Sequence, residues 1–329
     1  MPWVQSRGLA DRATPLGASL ARGVDSWCRF VTFRPVAASR TRAAVVVPIG
    51  PGIETALDTL ESVDAYCPEP HQVIIVDDHT SDGTYEALMT AKKSNWTVLR
   101  NERPLRVERL VHTLCVAFRH VLDSTPCELV LRLDQDALLI KPGVLSDGLD
   151  YMAAHRNVGL FGVYEVDYNR PRNWEVHRRR ITQETGWLRR ISGRSASYLP
   201  FLREAERRGY TRGDNVFGGA YWITRACLEE MRKMTALDPP YEWHSALMED
   251  VYFSIATVAA GFEMGHFAFP TGPLCLEQGG LPYPAAQLAA SHAKVVHSVD
   301  KGPNTDPASN GGITARQFFR RLRQSQRAE

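Results

Sequence analysis

Short apolar runs separated by helical spacing constrain this chain more than any other feature. Ala43-Ala44-Val45-Val46-Val47-Pro48 is ended by Gly50, Pro51 and Gly52, as expected of a buried parallel strand entering a loop. From Glu54 the spacing turns helical, with Ala56, Leu60 and Val63 on one face. Val73-Ile74-Ile75-Val76 repeats the strand, followed by N-capping residues Thr80 to Asp82. Trp96 to Leu99 is a third strand, and Val107, Leu110, Val111, Leu114, Phe118 and Val121 form the face of the next helix. Leu129 to Leu133 is a fourth strand and Val158 to Tyr164 a further one. Strands alternating with helices predict an α/β fold, a mostly parallel sheet flanked by helices and connected right-handedly. Ligands of such sheets bind beyond the carboxyl ends of the strands.

After Tyr164 the alternation stops. Residues 170–212 hold twelve Arg and four Glu, a net charge of about +8, with Trp174, Trp187, Tyr198 and Phe201 interleaved. A solvated insertion laced with salt bridges is favoured over a lid for an anionic substrate. Gly218 to Ile223 re-enters as a strand, and helices follow near Arg225–Met234 and from Glu249, the latter with Val251, Ile255 and Val258 inward and Gly261 as its stop. Lys301 to Gly312 reads as a mobile tail, and residues 317–326 as a short basic amphipathic helix able to dock on the domain or touch an anionic membrane.

The composition excludes several classes. With 39 Lys+Arg against 37 Asp+Glu the formal charge is +2, so no global polycation exists and no nucleic-acid partner is expected. Cys28, Cys67, Cys115, Cys127, Cys227 and Cys275 form no C-x-x-C pair, which points to buried reduced thiols. The first residues are not expected to act as a signal peptide, and the sequence holds no uncharged stretch of about 18 to 20 apolar residues. The expected location is cytoplasmic, with peripheral contact at the inner face of the membrane as its variant; Asn95-Trp96-Thr97 carries no weight as a glycosylation site there.

The strand ends hold the chemistry. Asp134 and Asp136, one residue apart, point to the same side, and a hard divalent cation needs one or two such carboxylates plus substrate phosphates. Loop capping explains a lone D-x-D equally well. Here Asp77-Asp78 lies at an equivalent strand end and Glu249-Asp250 at a helix start, where helix capping is the plain alternative.

Val45-Val46-Val47-Pro48, Ile74-Ile75-Val76-Asp77-Asp78-His79-Thr80-Ser81-Asp82-Gly83-Thr84, Asp134-Gln135-Asp136 and Met248-Glu249-Asp250-Val251 together resemble the ordered signatures of family-two inverting glycosyltransferases with the GT-A fold. The resemblance covers residues 43–265 and is most specific in the string around Asp77-Asp78. It implies a donor-binding wall at Pro48, a nucleobase contact at Asp78 beside Asp77, a ribose or metal-water contact at Asp134, and Mg²⁺ or Mn²⁺ ligation by Asp134 and Asp136. It places the general base at Asp250, with Glu249 orienting it or serving structure. His297 stands where some GT-A enzymes have a third metal ligand, although a lone His is more often structural. Of Arg103, Arg106 and Arg109, the donor phosphates are assigned to Arg106, helix-surface charge being the alternative.

The implied substrates are a nucleoside-diphosphate sugar, a UDP-sugar first, and a carbohydrate, lipid-linked or small-molecule acceptor. Pro-Ile-Gly-Pro-Gly replaces the family's usual Pro-x-Tyr/Phe-Asn after the first strand. No Q-x-x-R-W string follows Glu249-Asp250, which argues for transfer of a single sugar rather than processive synthesis. The expected organisation is an N-terminal extension (1–42), a donor-binding α/β domain (43–165), an acceptor and catalytic-base region (166–300) and a C-terminal tail (301–329). The alternatives are a sugar-phosphate nucleotidyltransferase, whose usual Thr-Arg and Lys do not follow the first strand here, and a non-catalytic nucleic-acid or glycan binding protein, which leaves the carboxylates without a role.

Overall fold

The computed structural model describes residues 41–164, 174–191, 196–240, 245–277 and 279–328. Its strands are β1 (Ala43–Ile49), β2 (His71–Asp77), β3 (Trp96–Arg100), β4 (Leu129–Leu133), β5 (Leu138–Leu139), β6 (Val158–Gly162), β7 (Ala220–Thr224), β8 (Glu263–His266), β9 (Leu274–Leu276) and β10 (Val295–His297). Its helices are α1 (Ile53–Tyr66), α2 (Thr84–Ala91), α3 (Leu110–Ser124), α4 (Val144–Ala154), α5 (Trp174–Thr185), α6 (Trp187–Ile191), α7 (Leu199–Arg207), α8 (Arg225–Lys233), α9 (Glu249–Ala259), α10 (Ala285–Ala290) and α11 (Ala315–Ala328).

Seven strands form one sheet in the order β3-β2-β1-β4-β7-β6-β8. All neighbours are parallel except at β7, which runs antiparallel to both β4 and β6. The mixed α/β class expected from the alternation is therefore present. A strand from the second half of the chain is inserted beside the central strands, so the amino end of β7 lies next to the carboxyl end of β4.

Both faces of the sheet are covered at its centre, which is why β1 and β2 read as apolar runs. Period two sends Ala44 and Val46 to the face packed by α3, α8 and α9, and Val45 and Val47 to the face packed by α1 and α4. A second sheet, β5-β10-β9, packs on α10 and α11 through Leu138, Cys275, Val296, Leu288 and Phe319. The described thiols, Cys67, Cys115, Cys127, Cys227 and Cys275, are free and buried, and burial raises each of them. No described helix is long and apolar enough to cross a membrane.

Three expectations change. Val107, expected on a helix face, is 60% exposed in a 3-10 turn, and α3 begins only at Leu110. The stretch after Lys301 is not a mobile tail. Two 3-10 turns form there, and the Asn310 side chain donates to Asn304 O and Asp306 O and accepts from Ala285 N, so polar residues do the ordering. The strand expected from Gly218 starts at Ala220, because Gly219 has φ 93, outside the strand region. Residues 1–40 of the expected extension lie outside the described residues, as does Cys28.

The basic helix forms as expected, and it docks. Arg316, Arg320 and Arg323 of α11 all reach Asp58 of α1, a carboxylate with no exposed side-chain surface. Burial alone would raise Asp58, but Arg323, Arg320 and Arg316 outweigh it and hold the acid below its ordinary value.

Candidate functional site

The carboxyl ends of β1, β2 and β4, the amino end of β7, the first turn of α9 and the end of β10 supply the site. β1 continues one residue past Pro48, to Ile49. Ile49 O accepts from Asp78 N on the β2 side, so Pro48's missing N–H faces the β4 side, where the ladder has already ended at Val46 and Arg132. Pro48 is thus a buried strand residue opposite Val76.

The loop after it is held by a residue whose role has no sequence signal. Gln135, the middle of Asp134-Gln135-Asp136, accepts from Gly50 N at 2.7 Å and donates to Pro51 O and Gly52 O. Thr59 of α1 donates to Gln135 O at 2.6 Å, and Asp82 accepts from Gly52 N at 2.8 Å. Gly52 has φ 121, a conformation open to glycine.

Asp77 and Asp78 part company. Asp77 is fully buried, accepting from Thr80 N and Thr80 Oγ1 and paired with Arg100 at 3.1 Å. Asp78 is half-buried and accepts from Asn101 Nδ2 at 2.8 Å, Leu105 N at 2.8 Å and Arg106 N at 2.6 Å. It organises the turn in which Arg106 sits exposed at φ 57. Beside it Arg103, Pro104, Leu105 and Arg109 line a shallow cavity of about 240 Å³.

Asp134, Asp136 and His297 come together, each with a ligand atom within 4.8 Å of the others'. His297 Nε2 is 3.1 Å from Asp136 Oδ1 and 3.7 Å from Asp134 Oδ2. Burial would raise Asp136, but His297, Ser298 and Lys301 outweigh it and pull the acid far below the usual carboxylate range. Two carboxylates supply the oxygen donors that Mn²⁺ and Mg²⁺ prefer, and a neutral imidazole adds one nitrogen donor beside them, so the residues fit the cation that the resemblance implies. The His297 ring lies against the backbone of Gly219, where a Cβ would come within 2.8 Å of Nδ1; no larger residue fits there.

Glu249 and Asp250 open α9, 4% and 8% exposed. Asp250 Oδ2 accepts from Asn215 Nδ2 at 2.9 Å and Gly218 N at 3.1 Å, and Oδ1 from Val251 N at 2.8 Å. Glu249 points deeper, to Arg132. This arginine, inside β4 and without exposed surface, stands 2.6 Å from Asp134 Oδ1 and 3.0 Å from Glu249 Oε1. None of its nitrogens makes a well-aligned hydrogen bond among the described residues, so the contact is ionic. Burial works against the Arg132 charge, but Asp134 and Glu249 outweigh it and hold the guanidinium protonated. At Glu249 burial dominates; Asp250 and Asp134 add to it and Arg132 opposes it, and the acid is pushed up to about 7.

The arginine-rich stretch also serves this turn. Glu184 of α5, buried, accepts from Tyr198 Oη, Ser245 Oγ and Ala246 N, and Arg180 donates to Ala246 O, fixing the backbone that leads into Glu249. Much of the remaining charge is spent locally: Arg178 and Arg179 pair with Glu175, and Arg207 and Arg208 with Glu204.

Residues 44–225 match the family model described as glycosyl transferase family 2. No curated protein matches the chain. Among solved structures it is similar to the mannosyltransferase PcManGT from Pyrobaculum calidifontis in complex with GDP-Man and Mn²⁺, with 17% identity and a TM-score of 0.46 over 82% of this chain and 60% of that one. It is similar also to TarS of S. aureus, with 17% identity and a TM-score of 0.44 over 70% of this chain and 35% of that one. The chain thus spans less than two thirds of either.

Proposed function

The chain belongs to glycosyl transferase family 2, and from that membership we propose that it moves one sugar from a nucleoside-diphosphate sugar to an acceptor hydroxyl with inversion at the anomeric carbon. The observation that carries this reading is the meeting of Asp134, Asp136 and His297, joined through Arg132 to the buried Glu249-Asp250 pair. Asp134, Asp136 and His297 hold a divalent cation, Mn²⁺ or Mg²⁺; such an ion, when bound, offsets the charge that grows on a departing diphosphate.

Asp250 is the general base. Three N–H groups fix its orientation, and it takes the proton of the acceptor hydroxyl. The bond from the acceptor oxygen to the anomeric carbon forms as the bond from that carbon to the diphosphate oxygen breaks, and the nucleoside diphosphate leaves with the electron pair. Glu249, tied to Arg132, keeps the helix start in place. Asp78 presents the turn at Leu105 and Arg106 to the nucleobase and phosphates of the donor, a UDP-sugar in the first instance. Carbohydrate, lipid-linked and small-molecule acceptors all supply the required hydroxyl.

Calorimetry with UDP, GDP, dTDP and CDP, with and without Mn²⁺, tests the reading. One nucleoside diphosphate is expected to bind only with metal, and Asp136→Ala to abolish that binding. Metal-independent binding, or none, counts against it.

A further inference from the structure

The family match ends at residue 225, yet His297, one of the three donors in the cluster, lies beyond it. His297 ends β10, and the residues after it close around Asp136. Ser298 Oγ donates to Asp136 Oδ2, Val299 N donates to Asp136 O at 3.0 Å, and Lys301 Nζ stands 3.4 Å from Oδ2. Asp300, in the same run, pairs instead with Arg316 at the start of α11. Two bonds of 2.8 Å join them, Nε to Oδ1 and Nη2 to Oδ2. The remaining nitrogen of that guanidinium, Nη1, donates to Asp58 Oδ2 in α1, also at 2.8 Å.

α1 therefore grips the metal-binding turn from two sides. On one side Thr59 donates directly to Gln135 O and Ala137 O, fixing the backbone around Asp136. On the other, the adjacent Asp58 reaches the 297–301 run through Arg316. The planar guanidinium suits this bridge, since it can hold one carboxylate with two parallel bonds and a second with its third nitrogen, which an ammonium cannot do in a fixed geometry.

We propose that Arg316 is a positioning residue for the cation site: by locking Asp300 to Asp58 it sets where His297 and Ser298 meet Asp136, without touching the site itself. The inference rests on the reading that Asp134, Asp136 and His297 hold a divalent cation. It makes the C-terminal helix a working part of the site.

The test is Mn²⁺ affinity, measured by titration calorimetry on the full chain. Arg316→Met removes the middle of the bridge and Asp300→Asn its end nearest the cluster, and each should weaken Mn²⁺ binding several-fold, less than the roughly 10-fold or more lost with a group bonded directly to a ligand. Arg316→Lys should fall between Arg316→Met and wild type. Arg320→Met is the control, because Arg320 holds Asp58 at 3.0 Å and is not a partner of Asp300; it should leave Mn²⁺ affinity unchanged. Asp58 keeps Arg320 and Arg323 when Arg316 is lost, and Asp300 is 36% exposed, so both bridge variants are expected to fold. If Arg316→Met fails to fold, Asp300→Asn decides alone. Wild-type Mn²⁺ affinity in the folded bridge variants, or an equal loss in Arg320→Met, overturns the inference while leaving the cation site standing. Wild-type protein that takes no Mn²⁺ removes the site and the inference together.

Discussion

The acid pair at the end of β2 and the acid pair at the start of α9 read alike in the chain, two adjacent carboxylates each, but the molecule holds them by opposite means. Asp77 and Asp78 draw their partners from their own surroundings: Thr80, Arg100, Asn101, Leu105 and Arg106. Glu249 and Asp250 draw theirs from across the sheet, Arg132 from β4, and Asn215 and Gly218 from the approach to β7. The first pair is closed by β3 and the turn after it, on the strand beside its own. The second exists only once β7 has inserted beside β4. A group that must meet an acceptor opposite the donor belongs to the second kind, since the donor's own strand ends cannot supply it.

The comparison breaks first at Asp250. If the distant pair carries the base, Asp250→Asn should lower kcat by about 10²- to 10⁴-fold, the usual contribution of a positioned acid or base. Donor affinity, which the proposal assigns to the β2 and β4 side, should stay as it is. Single-turnover rates beside nucleotide calorimetry check both halves of the statement. Full transfer activity in this variant would move the base elsewhere.

Arg132 offers the next largest effect, on stability rather than rate. Replacing it by Met leaves Glu249 buried without its counter-charge, and loss of one partner of a buried pair costs about 3–5 kcal/mol. Urea unfolding at pH 8 should show this loss. Arg132→Met with Glu249→Gln should recover part of it, because both charges then leave together. A wild-type urea midpoint for Arg132→Met would mean that the bridge between the two regions carries no energy.

The same contrast governs what the sequence reveals. β1, β2 and β4 are legible because strands buried on both faces appear as apolar runs, and Asp77, Asp134 and Asp136 are legible because they stop those runs. Arg132 is hidden inside such a run, Leu129-Val130-Leu131-Arg132-Leu133, where nothing nearby marks it as a counter-ion for residues in the other half of the chain. Gln135 is hidden as the spacer of a D-x-D string, although it holds the loop at Gly50. β5, β9 and β10, of two or three residues each, are too short for any periodicity to show. The residues after Lys301 mislead in the other direction: their composition reads as loose, and Asn310 orders them. His297 was visible only through the resemblance, since its partners lie on another strand end.

The smallest effect concerns pH, and it separates the two acid pairs again. Glu249 is pushed up to about 7 by its burial, from 4.5 when exposed, so between those values the folded chain keeps a proton that the unfolded chain has released. Stability from this group must then fall as pH rises from about 4.5 to about 7 and level off above. Glu249→Gln mimics the protonated form at every pH and should lose that slope. Urea midpoints of metal-free protein at pH 5 and pH 8 measure it: the drop between the two should be larger in wild type than in the variant, while every other titrating group contributes equally to both. An identical drop would show that Arg132 keeps Glu249 ionised throughout, and the distant pair would then be a plain salt bridge held as firmly as Asp77 is by Arg100.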